Sequence, residues 1–128
     1  IKMTIKIQTK KTVIPVEIGK LNFEFDVSDD SVVEFRKNAK QLYKELDGLS
    51  EVKEEENALE LSKETLQKGF DLILGEGAFK KIYEQTPSVI FLLDYIAELS
   101  QGIEKELRGL GFSDTKEEKK KKYLKNKK

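Results

Sequence analysis

Apolar and polar residues alternate along the start of the chain, a pattern typical of strands with one buried face. Three alternating series are separated by polar or glycine-containing links, and their apolar members are Met3, Ile5 and Ile7, then Ile14, Val16 and Ile18, then Leu21, Phe23, Phe25 and Val27. Glycine followed by lysine at Gly19-Lys20 predicts a tight type II′ turn between the last two series. The pattern predicts a three-stranded antiparallel meander over residues 2–27, with Pro15 at an edge position because proline cannot donate to a ladder.

From residue 29 onward the apolar spacing changes to threes and fours, which is the period of amphipathic helices. A first helix with apolar positions from Val32 to Leu49 is predicted to begin within Ser28-Asp29-Asp30-Ser31, which offers several N-cap oxygens, a Ser31-x-x-Glu34 capping box among them. A second helix with apolar residues from Leu59 to Leu74 is expected to end at Gly75-Glu76-Gly77, because glycines accept left-handed C-cap conformations. A short helix over 78–84 then leads to the next helix.

The fourth helix has the strongest apolar stripe, at Val89, Leu92, Leu93, Ile96, Leu99, Ile103 and Leu107. Thr86 is predicted to cap it, with Pro87 at the first helical position. Ile90 and Phe91 widen the stripe, so the first turns are expected to be buried nearly all round. Asp94 interrupts the apolar run far short of the roughly 20 residues that a membrane span requires. The sequence therefore predicts a core helix.

These elements predict an α+β fold, with one domain over residues 1–112 and a lysine-rich tail over 113–128. The chain contains no cysteine and no histidine, which removes the commonest nucleophile, general base and transition-metal ligands. Clustered acids such as Asp29-Asp30 sit where a helix start favours negative charge, so they are interpreted as capping residues. We accordingly expect a protein that is not an enzyme, with no catalytic, metal-binding or cofactor-binding residues.

Charge is distributed unevenly along a chain whose net charge is zero. Residues 1–20 carry +4, residues 21–115 carry −10, and residues 116–128 carry +6. The lysine run in the tail has three open interpretations: a solubilising tail, a segment that binds a protein partner, or a nucleic-acid contact that would weaken steeply with salt. The tail lacks arginine for reading bases and the body is acidic, which argues against nucleic acid.

Four features of the sequence carry a resemblance to a known group of proteins. The segments F-D-L-I-L-G-E-G-A-F-K-K-I-Y (Phe70–Tyr83) and T-P-S-V-I-F-L-L-D-Y-I (Thr86–Ile96), together with Glu17–Phe25 and the lysine-rich close, resemble small tail proteins of siphophages and prophages that infect Firmicutes. Those proteins are similar to tail assembly chaperones. The resemblance covers nearly the whole chain, and its motifs are structural.

The resemblance implies a non-enzymatic protein of tail morphogenesis in the host bacterial cytoplasm. Such a chaperone coats the tape-measure protein until tail-tube subunits polymerise around it, and it self-associates. Partner contacts are expected at Ile5 and Ile7 on a possible edge strand, and at Lys119, Lys120, Lys121 and Lys122. The same four lysines are a possible site of a programmed frameshift, if their codons form a slippery run.

Two alternatives are kept beside the chaperone hypothesis. A structural minor tail or head–tail connector protein would stay in purified virions, from which a chaperone would be missing. A nucleic-acid-binding protein would act through the lysine tail. No signal peptide pattern occurs in the first residues, and no membrane partner is expected.

Overall fold

A computed structural model describes residues 3–49 and 55–112. Within those ranges a β-hairpin is followed by four helices, which confirms the α+β class. The elements are β1 (Val13–Ile18), β2 (Leu21–Asp26), α1 (Asp29–Gly48), α2 (Glu55–Leu74), α3 (Ala78–Gln85) and α4 (Val89–Gly109). The predicted tail over 113–128 lies outside the described residues.

The hairpin joins β1 and β2 in the predicted antiparallel register. Ile18 pairs with Leu21 across the turn, and the pairing continues to Val13 and Asp26 at the open end. Gly19 has a φ of 59°, while no described non-glycine residue has a positive φ. A positive φ at the first central residue alone is the requirement of a type II′ turn. The predicted turn is therefore confirmed.

The predicted first strand is wrong for the residues that are described. Residues 3–12 form no strand, and every one of them is exposed. An alternating sequence becomes a strand only where a neighbour accepts its backbone hydrogen bonds. The neighbour here would be β1, but no turn occurs in residues 9–12 to bring the preceding residues back beside it. Over the described ranges, the sheet therefore has two strands.

The core lies between the inner face of the hairpin and the helices, and α2 packs against α1, α3, α4 and β2. Its fully buried large side chains are Leu66, Phe70, Ile82, Leu92, Ile96 and Leu107. The periodic apolar positions of α4 are buried as predicted, with Leu93 half-buried. None of the described helices is long and apolar enough to cross a membrane.

The start of α1 lies at the first of the predicted N-cap candidates and not at the capping box. Ser28, not Ser31, is the N-cap, and the hydroxyls of both serines donate to the carboxylate of Asp26. Asp26 also accepts the backbone N–H of Ser28 at 2.9 Å. Asp26, the last residue of β2, therefore binds the Ser31 hydroxyl that would have capped the helix in a capping box.

The start of α4 lies two residues later than predicted. Ser88 is its N-cap, and Pro87 sits in a tight turn in which the Ser88 N–H donates to the Thr86 carbonyl at 2.8 Å. The Thr86 hydroxyl instead lies 3.3 Å from the Tyr95 hydroxyl. Ser88 has an extended backbone, with a φ of −145° and a ψ of 113°, so Pro87 cannot be the first helical residue and the helix begins at Val89.

Candidate binding site

The N-terminal segment over residues 3–9, called the arm below, presents unpaired apolar side chains to solvent. Met3 is 94% exposed, Ile5 is 88% exposed and Ile7 is 82% exposed. They alternate with Thr4, Lys6 and Gln8, so one face of an extended arm is apolar and the other is polar. The two predicted partner-binding residues in this segment are therefore accessible.

An apolar groove lies between β1 and α4 and has a volume of about 480 Å³. We call it the edge groove, and its apolar walls are Ile14, Val16 and Ile18 from β1 and Tyr95, Leu99 and Ile103 from α4. Gly102 also lines it, and a Cβ at that position would meet no other atom within 4 Å. The groove is thus open where a neighbouring side chain would enter.

The backbone of β1 next to this groove has free pairing capacity. Val27 donates to the Thr12 carbonyl at 2.8 Å, which continues the hydrogen-bonded pairs of the hairpin at every second residue. By this alternation, the N–H and C=O groups of Val13 and Glu17 and the carbonyl of Pro15 point away from β2. A further strand has these groups as pairing partners.

Gln85 holds the tip of the hairpin at one end of the groove. Its side-chain oxygen accepts the Lys20 N–H at 3.1 Å, and its side-chain nitrogen donates to the Ile18 carbonyl at 3.2 Å. Because both bonds join the turn to the last residue of α3, they fix β1 relative to the helices. The groove is therefore a built feature of the fold.

The charged residues at the edge groove are all acidic, with Glu98 and Glu106 on α4 and Glu17 on β1. The charged side chains of the arm, and of residues 10–12 that join the arm to β1, are all lysines: Lys6, Lys10 and Lys11. The groove and the arm are consequently opposite in charge and alike in carrying apolar side chains.

A second groove, between α1 and α4, has the opposite charge and a volume of about 940 Å³. Its cationic lining residues are Arg36, Lys37, Lys40, Lys105 and Arg108, with Glu104 as the acid. Arg36 and Glu104 form a two-bond ion pair, with Nε to Oε1 at 2.8 Å and Nη2 to Oε2 at 3.2 Å. The buried Ser100 hydroxyl lines this groove and has no hydrogen-bond partner among the described residues.

The first turn of α4 exposes two large apolar side chains, contrary to the prediction that they are buried. Ile90 is 73% exposed and Phe91 is 56% exposed. The cause is geometric, since Val89 and Leu92 already take the core-facing positions of this turn. Adjacent exposed apolar residues of this size are typical of a contact surface.

The acidic side chains of residues 3–49 and 55–112 are the candidate metal ligands, since the chain has no histidine or cysteine. No group of three or more acidic side chains there is placed to hold a metal ion. The predicted partner-binding lysines, Lys119 to Lys122, lie outside the described residues. Ile5 and Ile7 lie in the exposed segment that precedes β1. The sequence did not reveal the edge groove, because this groove depends on how β1 and α4 lie next to each other in the fold.

The described residues define a small α+β protein with an open strand edge beside an apolar groove with acidic side chains. The chain belongs to a family of unknown function, DUF6673, whose model matches residues 19–128. The matched range begins at the hairpin turn, so the arm and β1 lie before it. No curated protein and no solved structure matches the sequence.

Proposed function

We propose that this protein is a tail assembly chaperone of a siphophage or prophage. It binds the tape-measure protein in the host bacterial cytoplasm, associates with copies of itself, and is released as the tail-tube protein assembles. It catalyses no reaction. Partner contacts involve Ile5 and Ile7 of the arm and the lysines at 119–122.

The proposal rests on one observation, which is that the molecule exposes large apolar side chains outside its core. The arm and the pair Ile90–Phe91 expose large apolar side chains at two places. Exposed apolar surface of this kind is typical of proteins that bind other chains, and an open strand edge suits binding of an extended segment. A chaperone for an aggregation-prone protein requires such surfaces.

Charge supports reversible binding. The basic ends and the acidic body let charged segments of different molecules attract one another, and such attraction weakens with salt. Release by tail-tube subunits requires contacts that are individually weak. Pro15 contributes to this, since it removes one donor from the edge to which a partner strand would pair.

The test is co-expression with the tape-measure protein encoded nearby, followed by affinity capture. The expected result is a soluble tape-measure protein that co-purifies with this chain. An insoluble tape-measure protein, with this chain left free, would contradict the proposal. Detection of the chain in purified virions would favour a minor tail or connector protein instead.

Two matched variants locate the contact. Replacing Ile90 and Phe91 together by asparagine is expected to reduce the recovered tape-measure protein, because the substitution removes exposed apolar area. Asp94→Asn, at an exposed position on the same helix, is the control and is expected to leave recovery unchanged. Deletion of residues 116–128 tests the contribution of the lysine tail in the same assay.

A further inference from the structure

The geometry points to arm exchange: the arm of one copy adds as a third strand to β1 of a second copy, with Ile5 and Ile7 in its edge groove. The inference rests on the self-association included in the proposed function. It is tested with this chain alone, so a failure to bind the tape-measure protein does not affect it.

The dimensions of the arm and of the strand edge agree. The arm's seven residues span about 23 Å when extended, and the six residues of β1 span about 20 Å. In a strand next to β1, alternate side chains face the same side as Ile14, Val16 and Ile18. Met3, Ile5 and Ile7 then enter the edge groove, where Gly102 leaves open space.

Charge favours the same arrangement. With the isoleucines facing inward, Lys6 projects to the outer face of the sheet, as Glu17 of β1 does. The other acids of the groove, Glu98 and Glu106, lie on α4 and attract the basic arm as a whole. Opposite charges on neighbouring strands stabilise a pairing, whereas like charges destabilise it.

A second copy, and not the same chain, is the occupant. The arm precedes β1 directly and would have to reverse within Thr9–Thr12 to reach its own groove. The structure has no such reversal, and residues 3–12 are all exposed. The groove is therefore available to an arm from another molecule. Exchange between copies buries the apolar face of the arm, and it also pairs the outward-pointing N–H and C=O groups of β1.

Cysteine cross-linking tests the arrangement, since the natural chain has no cysteine. Chains carrying Ile7→Cys are mixed with chains carrying Gly102→Cys and oxidised mildly. We expect a disulfide-linked mixed dimer. Lys6→Cys, on the opposite face of the arm, is expected to link to Gly102→Cys at most about a fifth as well, because side chains alternate along a strand. Equal yields, or equal linking to Lys37→Cys in the other groove, would overturn the proposal.

Sedimentation then measures the association itself. Ile5→Asn with Ile7→Asn is expected to raise the dissociation constant at least about tenfold, since two buried isoleucines are lost. Thr4→Asn with Gln8→Asn places the same side chain on the outer face and is expected to change it by less than about twofold. A wild-type chain that stays monomeric, with Ile7→Cys and Gly102→Cys linking only within one double-variant chain, would show that the arm folds back on its own groove.

Discussion

Gly69 is the residue at which three helices meet. It is buried on α2, and a Cβ built there would lie 2.8 Å from Cδ1 of Ile96 on α4 and 3.0 Å from both terminal methyl groups of Leu42 on α1. Glycine in a helix interior costs roughly 0.5–1 kcal/mol relative to alanine. The close approach of two other helices explains why that cost is accepted here.

Two glycine-to-alanine substitutions are predicted to have opposite effects on stability. Gly102→Ala gains helix propensity in open space and should stabilise the fold by roughly 0.5–1 kcal/mol. Gly69→Ala gains the same propensity but displaces Ile96 and Leu42, and overpacking of a core costs about 1–3 kcal/mol, so net destabilisation is expected. Urea unfolding measures both, in a chain that also carries Ile5→Asn and Ile7→Asn so that association does not contribute. Equal stabilisation by both would contradict the packing argument.

The hydrogen bonds that Asp26 accepts where β2 leads into α1 make the stability of the fold depend on pH. The Ser28 N–H and the Ser31 hydroxyl donate to its carboxylate, and these hydrogen bonds hold the pKa of Asp26 below its ordinary value of 3.8. A lowered folded-state pKa stabilises the fold fully above the unfolded-state value, and this stabilisation disappears as the pH falls through the folded-state value.

Asp26→Asn is therefore expected to be less stable than the wild type at neutral pH. The difference in unfolding free energy should shrink as the pH falls below 3.8, because the wild-type carboxylate then becomes protonated as well. Chemical unfolding over a pH series measures it. Ser31→Ala, which removes one of the donors, should show a smaller change of the same sign. A wild-type advantage that is constant with pH would rule out this role.

At the scale of elements, Arg36 and Glu104 link α1 to α4 with two parallel bonds. Their side chains are 24% and 28% exposed, so solvent screens the pair only in part. A double-mutant cycle with alanine at both positions is expected to give a coupling energy of about 0.5–1 kcal/mol, at the upper end for exposed pairs because the geometry is bidentate.

The pair Lys68–Glu45 is the matched comparison, because it also joins two helices but through one bond at 3.2 Å. Its side chains are 58% and 31% exposed, and a coupling energy of about 0–0.5 kcal/mol is expected. Coupling that is as strong in this pair as in Arg36–Glu104 would show that the second bond contributes nothing.

Elements with a long apolar period were predictable from the sequence, and element ends were less so. The stripe from Val89 to Leu107 is buried as predicted, because its seven apolar positions lie on one face of the helix and only that face can pack against the core. The exact helix starts depended on which hydroxyl forms the cap, and two of the candidate hydroxyls have other partners: Ser31 donates to Asp26, and Thr86 lies beside Tyr95. The partner of each hydroxyl depends on which residues lie next to it in the folded structure, and a local sequence motif does not contain that information.

At the scale of the whole molecule, the sequence indicated the accessible Ile5 and Ile7 but placed them in a strand. A strand needs a neighbour as well as an alternating pattern, and no turn in residues 9–12 brings this segment back beside β1. The edge groove was out of reach of sequence reasoning, because it requires the distance between β1 and α4. What the sequence did contain is the charge contrast between the basic start and the acidic body.

Stability of the whole molecule should depend on its own concentration if arms are exchanged. Association of folded chains stabilises them by mass action, so the apparent unfolding free energy per dimer should rise by about 1.4 kcal/mol for each tenfold increase in concentration. Ile5→Asn with Ile7→Asn should abolish this dependence. The same variant should keep the stability that the wild type has at high dilution, because the two exposed isoleucines add nothing to the core of their own chain. Thermal unfolding across a concentration series checks both expectations. A wild-type midpoint that is independent of concentration would contradict arm exchange, and a variant that is less stable than the wild type at high dilution would show that the arm acts within one molecule.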